Sequence, residues 1–76
     1  MGFKKNLIEL LSEPSEMDFS KVQNILLGFN FKLARIKGSH FSFKNLEKGI
    51  ITIPVHNQKV KRIYLKRVKY IIISLK

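Results

Sequence analysis

The chain has 76 residues, and residues 1–76 are expected to form one domain with a thin core. With no cysteine it offers neither a disulfide framework nor a zinc–thiolate site, and no apolar run nears the roughly 20 residues that cross a bilayer. A net charge of +10 points instead to a polyanionic partner, and the absence of a signal-peptide pattern makes a cytoplasmic protein the expectation.

Residues 4–13 carry Leu7, Ile8 and Leu11 at the spacing of a short amphipathic helix. Ser12-Glu13-Pro14-Ser15 ends it, because proline disfavours helix in the residue before it. Asp18 suits the N-cap of a second helix whose apolar face is Phe19, Val22, Ile25 and Leu26. Gly28 is predicted to end that helix as its C′ residue. Residues 29–36 then alternate as a half-buried strand, with Phe29, Phe31 and Leu33 on one side and Asn30 and Lys32 on the other. Lys37-Gly38 makes a tight turn, since glycine accepts positive φ without strain.

Residues 39–44 alternate again, with Phe41 and Phe43 inward. Residues 45–49 form a second turn. Residues 50–55 are a β-branched third strand, and Pro54 marks its end or an edge position. Residues 59–74 predict a last helix, with Val60, Tyr64, Val68 and Ile71 on one stripe. Arg62, Lys66 and Lys69 fall on its opposite face. The resulting α-α-β-β-β-α order predicts an α+β two-layer sandwich. Its three-stranded antiparallel sheet carries helices on one face and leaves the other open.

The charge is unevenly spread. Lys4 and Lys5 face Glu9, Glu13, Glu16 and Asp18 in residues 1–20, a net of −2. Residues 21–76 hold thirteen basic residues against Glu47 alone, a net of +12. Within this basic part, Arg35, Lys37 and Lys44 surround Gly38-Ser39-His40-Phe41-Ser42-Phe43. If Phe41 and Phe43 pack under the helices, His40, Ser42 and Lys44 lie on the open face. The glycine turn admits a phosphate close to the backbone, and the Ser39 hydroxyl can donate to it. His56 follows Pro54-Val55 and is expected near the His40 end of the neighbouring strand.

This pattern suits RNA chemistry. Metal-free cleavage needs a base for the 2′-OH, an acid for the 5′-oxygen and positive charge at the phosphate. Histidine titrates in the range both proton transfers need. Basic neighbours stabilise the extra charge of the transition state. Spacing and charge alone leave His40 open between a catalytic group and a solvated strand residue. They also leave open a non-catalytic RNA-binding module, and an adaptor that docks an acidic protein. No metal or other cofactor is implied. A membrane-surface role is disfavoured, because the last helix needs its apolar stripe for the core.

Gly38-Ser39-His40 followed by Phe41 and Phe43 resembles the central motif of the HicA toxins. Gly28-Phe29 ahead of Arg35-Ile36-Lys37, Ile53-Pro54-Val55-His56, and a basic last helix agree with the family's order. The resemblance covers residues 18–73 and implies a HicA-like core over residues 18–74. Residues 4–13 are then an additional N-terminal helix. It implies a fold like that of double-stranded-RNA-binding domains. It also implies a toxin of a toxin–antitoxin pair, a metal-independent endoribonuclease that cuts mRNA with His40. A HicB-type antitoxin would mask that histidine. Many members have a second histidine directly after the first, where this chain has Phe41. The RNA-contacting set implied here is Arg35, Lys37, Gly38, Ser39, Ser42, Lys44 and His56.

Overall fold

The computed structural model describes residues 2–74. Helix α1 spans Phe3–Leu11, strand β1 Glu16–Asp18, and helix α2 Phe19–Gly28. Strands β2 (Lys32–Lys37), β3 (His40–Asn45) and β4 (Gly49–Pro54) follow. Strand β5 (Lys59–Lys61) and helix α3 (Arg62–Ile73) complete the order. β2, β3 and β4 form the expected antiparallel meander. The core lies between that sheet and the helices. Val22, Ile25 and Leu26 of α2 and Leu65, Val68 and Ile72 of α3 close over Phe43, Ile51 and Ile53. The predicted α+β sandwich with one open sheet face is therefore the fold.

A second sheet was not anticipated. β1 pairs antiparallel with β5, placing Met17 opposite Val60, and both are buried. The ladder continues at both ends, where Phe19 donates to the Gln58 carbonyl and Arg62 to the Ser15 carbonyl. Residues 59–61 are thus strand, not the start of the last helix, and Val60 belongs to no helical stripe. The cause is local. Asn57 and Gln58 both take positive φ, 51° and 62°, between the mutually bonded His56 and Lys59. That is the two-residue primed turn that reverses a strand. Three-residue strands are too short to show a period in sequence.

Other boundaries shift for similarly local reasons. Gly28 is the last residue of α2, not its C′ residue. The left-handed position is Asn30, with φ 70°. Asn30 and Phe31 donate to the carbonyls of Leu27 and Leu26, the paired bonds of a Schellman cap. Gly28 is small for another reason: a Cβ there would run into the ring of Phe3, which packs against Phe29 at 5.4 Å between centroids. So β2 begins only at Lys32, and all six of its residues are exposed, unlike the predicted half-buried strand. In α1 the buried residues are Asn6 and Leu10, while Ile8 and Leu11 are exposed. Asn6 can be buried because its amide donates to Asn24 Oδ1 at 2.9 Å.

Asp18 stands at the N-cap of α2 but makes no cap bond. It accepts from Lys59 Nζ at 2.6 Å, tying β1 to β5. This hydrogen bond and charge hold the Asp18 carboxyl below its usual range and Lys59 above its own. The Lys69 hydrogen bond, at 2.8 Å, likewise lowers Glu13. Folded carboxyls that bind protons less tightly than unfolded ones add stability at higher pH. That stability is lost as pH falls through the lowered folded values. Both pairs are solvent-exposed, so the effect is small. In urea unfolding from pH about 6 to about 2, Asp18→Asn combined with Glu13→Gln should flatten the acid limb. Parallel limbs would show that neither pair contributes.

Candidate nucleic-acid interface

The open sheet face is built by register. Cross-strand partners share a face. Lys37, His40 and Pro54 form one row, Arg35, Ser42 and Thr52 the next, and Lys32, Lys44 and Ile50 the third. The intervening pairs, Phe41 with Ile53 and Phe43 with Ile51, point to the helices. Phe43 is fully buried and Phe41 half-buried against Phe19, 4.6 Å between centroids.

One irregularity decides which side chains join His40. The β2–β3 register shifts between Leu33 and Arg35, so Ala34 is an extra residue in β2. Leu33 and Ile36 then both lie opposite inward-facing phenylalanines. Arg35 and Lys37 lie opposite Ser42 and His40. A regular strand would have put Arg35 and Lys37 on the same side as Leu33, away from His40.

The turn next to His40 consists of Gly38 and Ser39 between the paired Lys37 and His40. Gly38 has φ 59° and no atom within 4 Å of where a Cβ would sit, so its backbone angle is the constraint, not space. Ser39 belongs to this turn and not to the strand. Its carbonyl accepts from Val55 N–H at 2.8 Å. The turn is thereby tied to the residue before His56. His56 leaves the sheet there and enters the turn toward β5, bonded through its backbone to Lys59. It is therefore not a strand residue of the open face.

Electrostatically the face is unopposed. Among the described residues Lys32, Arg35, Lys37 and Lys44 form no ion pair. Three of the chain's acids are held elsewhere: Glu9 by Lys21, Asp18 by Lys59 and Glu13 by Lys69. The three rows contain no carboxylate. Ser42 Oγ and Thr52 Oγ1 lie 2.9 Å apart in the middle row. Among the described residues no three His, Cys, Asp or Glu side chains converge as a metal site would require.

The expected set is thus mostly assembled. Arg35, Lys37, His40, Ser42 and Lys44 share the face, with Gly38 and Ser39 at its end. Thr52 and Lys32 belong to it and were missed. Alternation within Ile51-Thr52-Ile53 was the available signal for Thr52. For Lys32 the signal was also alternation, since it lies on the side of residues 29–36 opposite Phe31 and Leu33. The basic face of α3 is less available than its spacing suggested. Arg62 donates to the carbonyls of Glu13 and Pro14, and Lys69 pairs with Glu13.

A family model described as the HicA toxin of bacterial toxin–antitoxin matches residues 19–75. The chain belongs to the HicA toxin family. The match includes every residue of the open face and begins at the first residue of α2, so α1 and β1 precede it. Neither a curated protein nor a solved structure matches the chain. HicA proteins are the toxin members of toxin–antitoxin systems. No helix among the described residues is long and apolar enough to cross a membrane.

Proposed function

We propose that this HicA chain is a metal-independent endoribonuclease that cleaves mRNA through His40, in the cytoplasm, and that a HicB-type antitoxin neutralises it. One observation carries the reading. In a HicA chain, His40 stands on an open sheet face whose four cations have no carboxylate partner among the described residues.

In this reading His40 takes the proton from a 2′-OH, and the 2′-oxygen attacks the adjacent phosphorus. The bond to the 5′-oxygen breaks, and that oxygen takes a proton from His56, a lysine or water. Lys37 lies directly across from His40 and Arg35 one row away, where their charge opposes that of the phosphorane-like transition state. The Gly38-Ser39 turn and Ser42 contact the same phosphate region, and Lys44 holds a phosphate further along. Dependence on the 2′-OH restricts the reaction to RNA. An antitoxin laid over these rows would remove His40 from solvent.

A second reading is a non-catalytic RNA-binding module. The observation favouring it is that the three rows hold a single histidine and no acid. Incubating purified protein with a long single-stranded RNA in EDTA separates the two. Cleavage supports the ribonuclease, whereas binding without cleavage supports the module. Both readings share one expectation. Lys44→Ala should reduce the slope of log affinity against log salt by about one unit if Lys44 holds a phosphate. An unchanged slope would remove Lys44 from the RNA path.

A further inference from the structure

We propose that the free edge of β4, with the groove beside it, docks an extended acidic segment of a partner protein, which joins the sheet as a fourth strand. The sheet order β2-β3-β4 leaves two edges. The β2 edge is guarded by Lys32, Arg35, Lys37 and the Ala34 bulge, devices that discourage strand addition. β4 carries no charge and pairs residue for residue with β3 from Gly49 to Pro54, without a bulge.

The direction of the backbone groups follows from one hydrogen bond. Val55 N–H donates to the Ser39 carbonyl, so Ser39 and Val55 are a hydrogen-bonded pair. Pairs alternate along an antiparallel ladder. Ile50, Thr52 and Pro54 therefore turn their backbone groups away from β3. Pro54 has no N–H to leave unmet and closes the edge. Ile50 and Thr52 present two donors and two acceptors, and among the described residues no backbone group bonds to them.

Between β4 and α3 runs a groove of about 740 Å³, lined by Tyr70 and Ile71 and by three cations, Lys48, Lys66 and Arg67, against one carboxylate, Glu47. Lys66 and Arg67 form no ion pair among the described residues. Alternating donors and acceptors match another extended peptide; an RNA backbone, which presents chiefly phosphate acceptors, does not supply that alternation. A second copy of a +10 chain would bring like charge to the cations of the groove. An acidic segment satisfies both the edge and the cations. Ile50 is about 13 Å along the strand from Pro54, the partner of His40. An occupant of the Ile50–Thr52 edge leaves the His40 row uncovered, so the inference does not depend on the ribonuclease reading.

The test is amide hydrogen exchange with a short peptide of alternating valine and aspartate. The Ile50 and Thr52 amides should exchange freely in the protein alone and become protected when the peptide is added. The valine–lysine analogue should give no protection. Ile50→Pro removes an outward donor and leaves the β3 ladder intact. That variant and Lys66→Glu with Arg67→Glu should each weaken binding about tenfold. If the proline variant misfolds, the charge-reversed one carries the test alone. His40→Ala should bind the peptide as the wild type does. Unprotected amides, or equal protection by the lysine peptide, would overturn the proposal. So would protection that rises with protein concentration alone, which means a second copy. Displacement of the peptide from this edge by oligouridylate would do the same, making RNA the occupant.

Discussion

His40→Ala is expected to lower RNA cleavage by about 10²–10⁴-fold, the usual contribution of a positioned general acid or base. The side chain is exposed and, among the described residues, makes no hydrogen bond that ties it to the fold. Its loss should leave the circular dichroism spectrum and thermal midpoint unchanged. RNA affinity should fall little, because Lys32, Arg35, Lys37 and Lys44 remain on the face. The measurement is single-turnover cleavage of a long single-stranded RNA in EDTA, beside binding to the same RNA. Loss of cleavage with retained binding is the expected pair of results. Equal cleavage by both proteins would move the chemistry to another group. Binding by both with cleavage by neither would leave the Gly-Ser-His turn as part of a binding surface. Replacing His56 in the same assay tests whether it supplies the proton for the 5′-oxygen.

Phe43→Ala is expected to be the most damaging single truncation in the sheet. Phe43 is fully buried, lies between Leu33 and Ile51 in register, and packs near Phe19 at 6.2 Å between centroids. Removing a buried aromatic ring costs about 3–5 kcal/mol, through lost burial and the cavity left behind. Domain stabilities run about 5–15 kcal/mol, and a chain this short belongs near the lower end. The thermal midpoint should therefore fall by more than about 12 °C, or the cooperative transition should disappear. Leu46→Ala is the control: Leu46 is 96% exposed and should change stability by less than about 0.5 kcal/mol. Equal losses in the two variants would mean that Phe43 is not central to the core. Because Phe43 lies between the Ser42 and Lys44 rows, its loss should also scatter the open face. RNA binding should then weaken along with stability.

The sequence by itself determined the layers and the central motif. Alternation through Phe41 and Phe43 placed His40, Ser42 and Lys44 together on the outer face, since strand side chains change sides at every residue. Turn chemistry placed glycine at position 38. The same local logic failed where structure depends on partners distant in the chain. β1 and β5 are three residues each, and neither shows a period until Met17 meets Val60 across 43 positions of sequence. Asn30 could take over the helix cap because Phe31 had a core to enter, and Gly28 was set by the approach of Phe3. The placement of Arg35 and Lys37 beside His40 was also a tertiary decision. A bulge at Ala34 is a mismatch between two strands, so it exists only once β2 and β3 pair. Without it, alternation along β2 turns both cations toward the helices. The open field of positive charge has the same origin: Glu9, Glu13 and Asp18 meet their lysines only in the folded chain, and none of the three lies in the rows that hold His40.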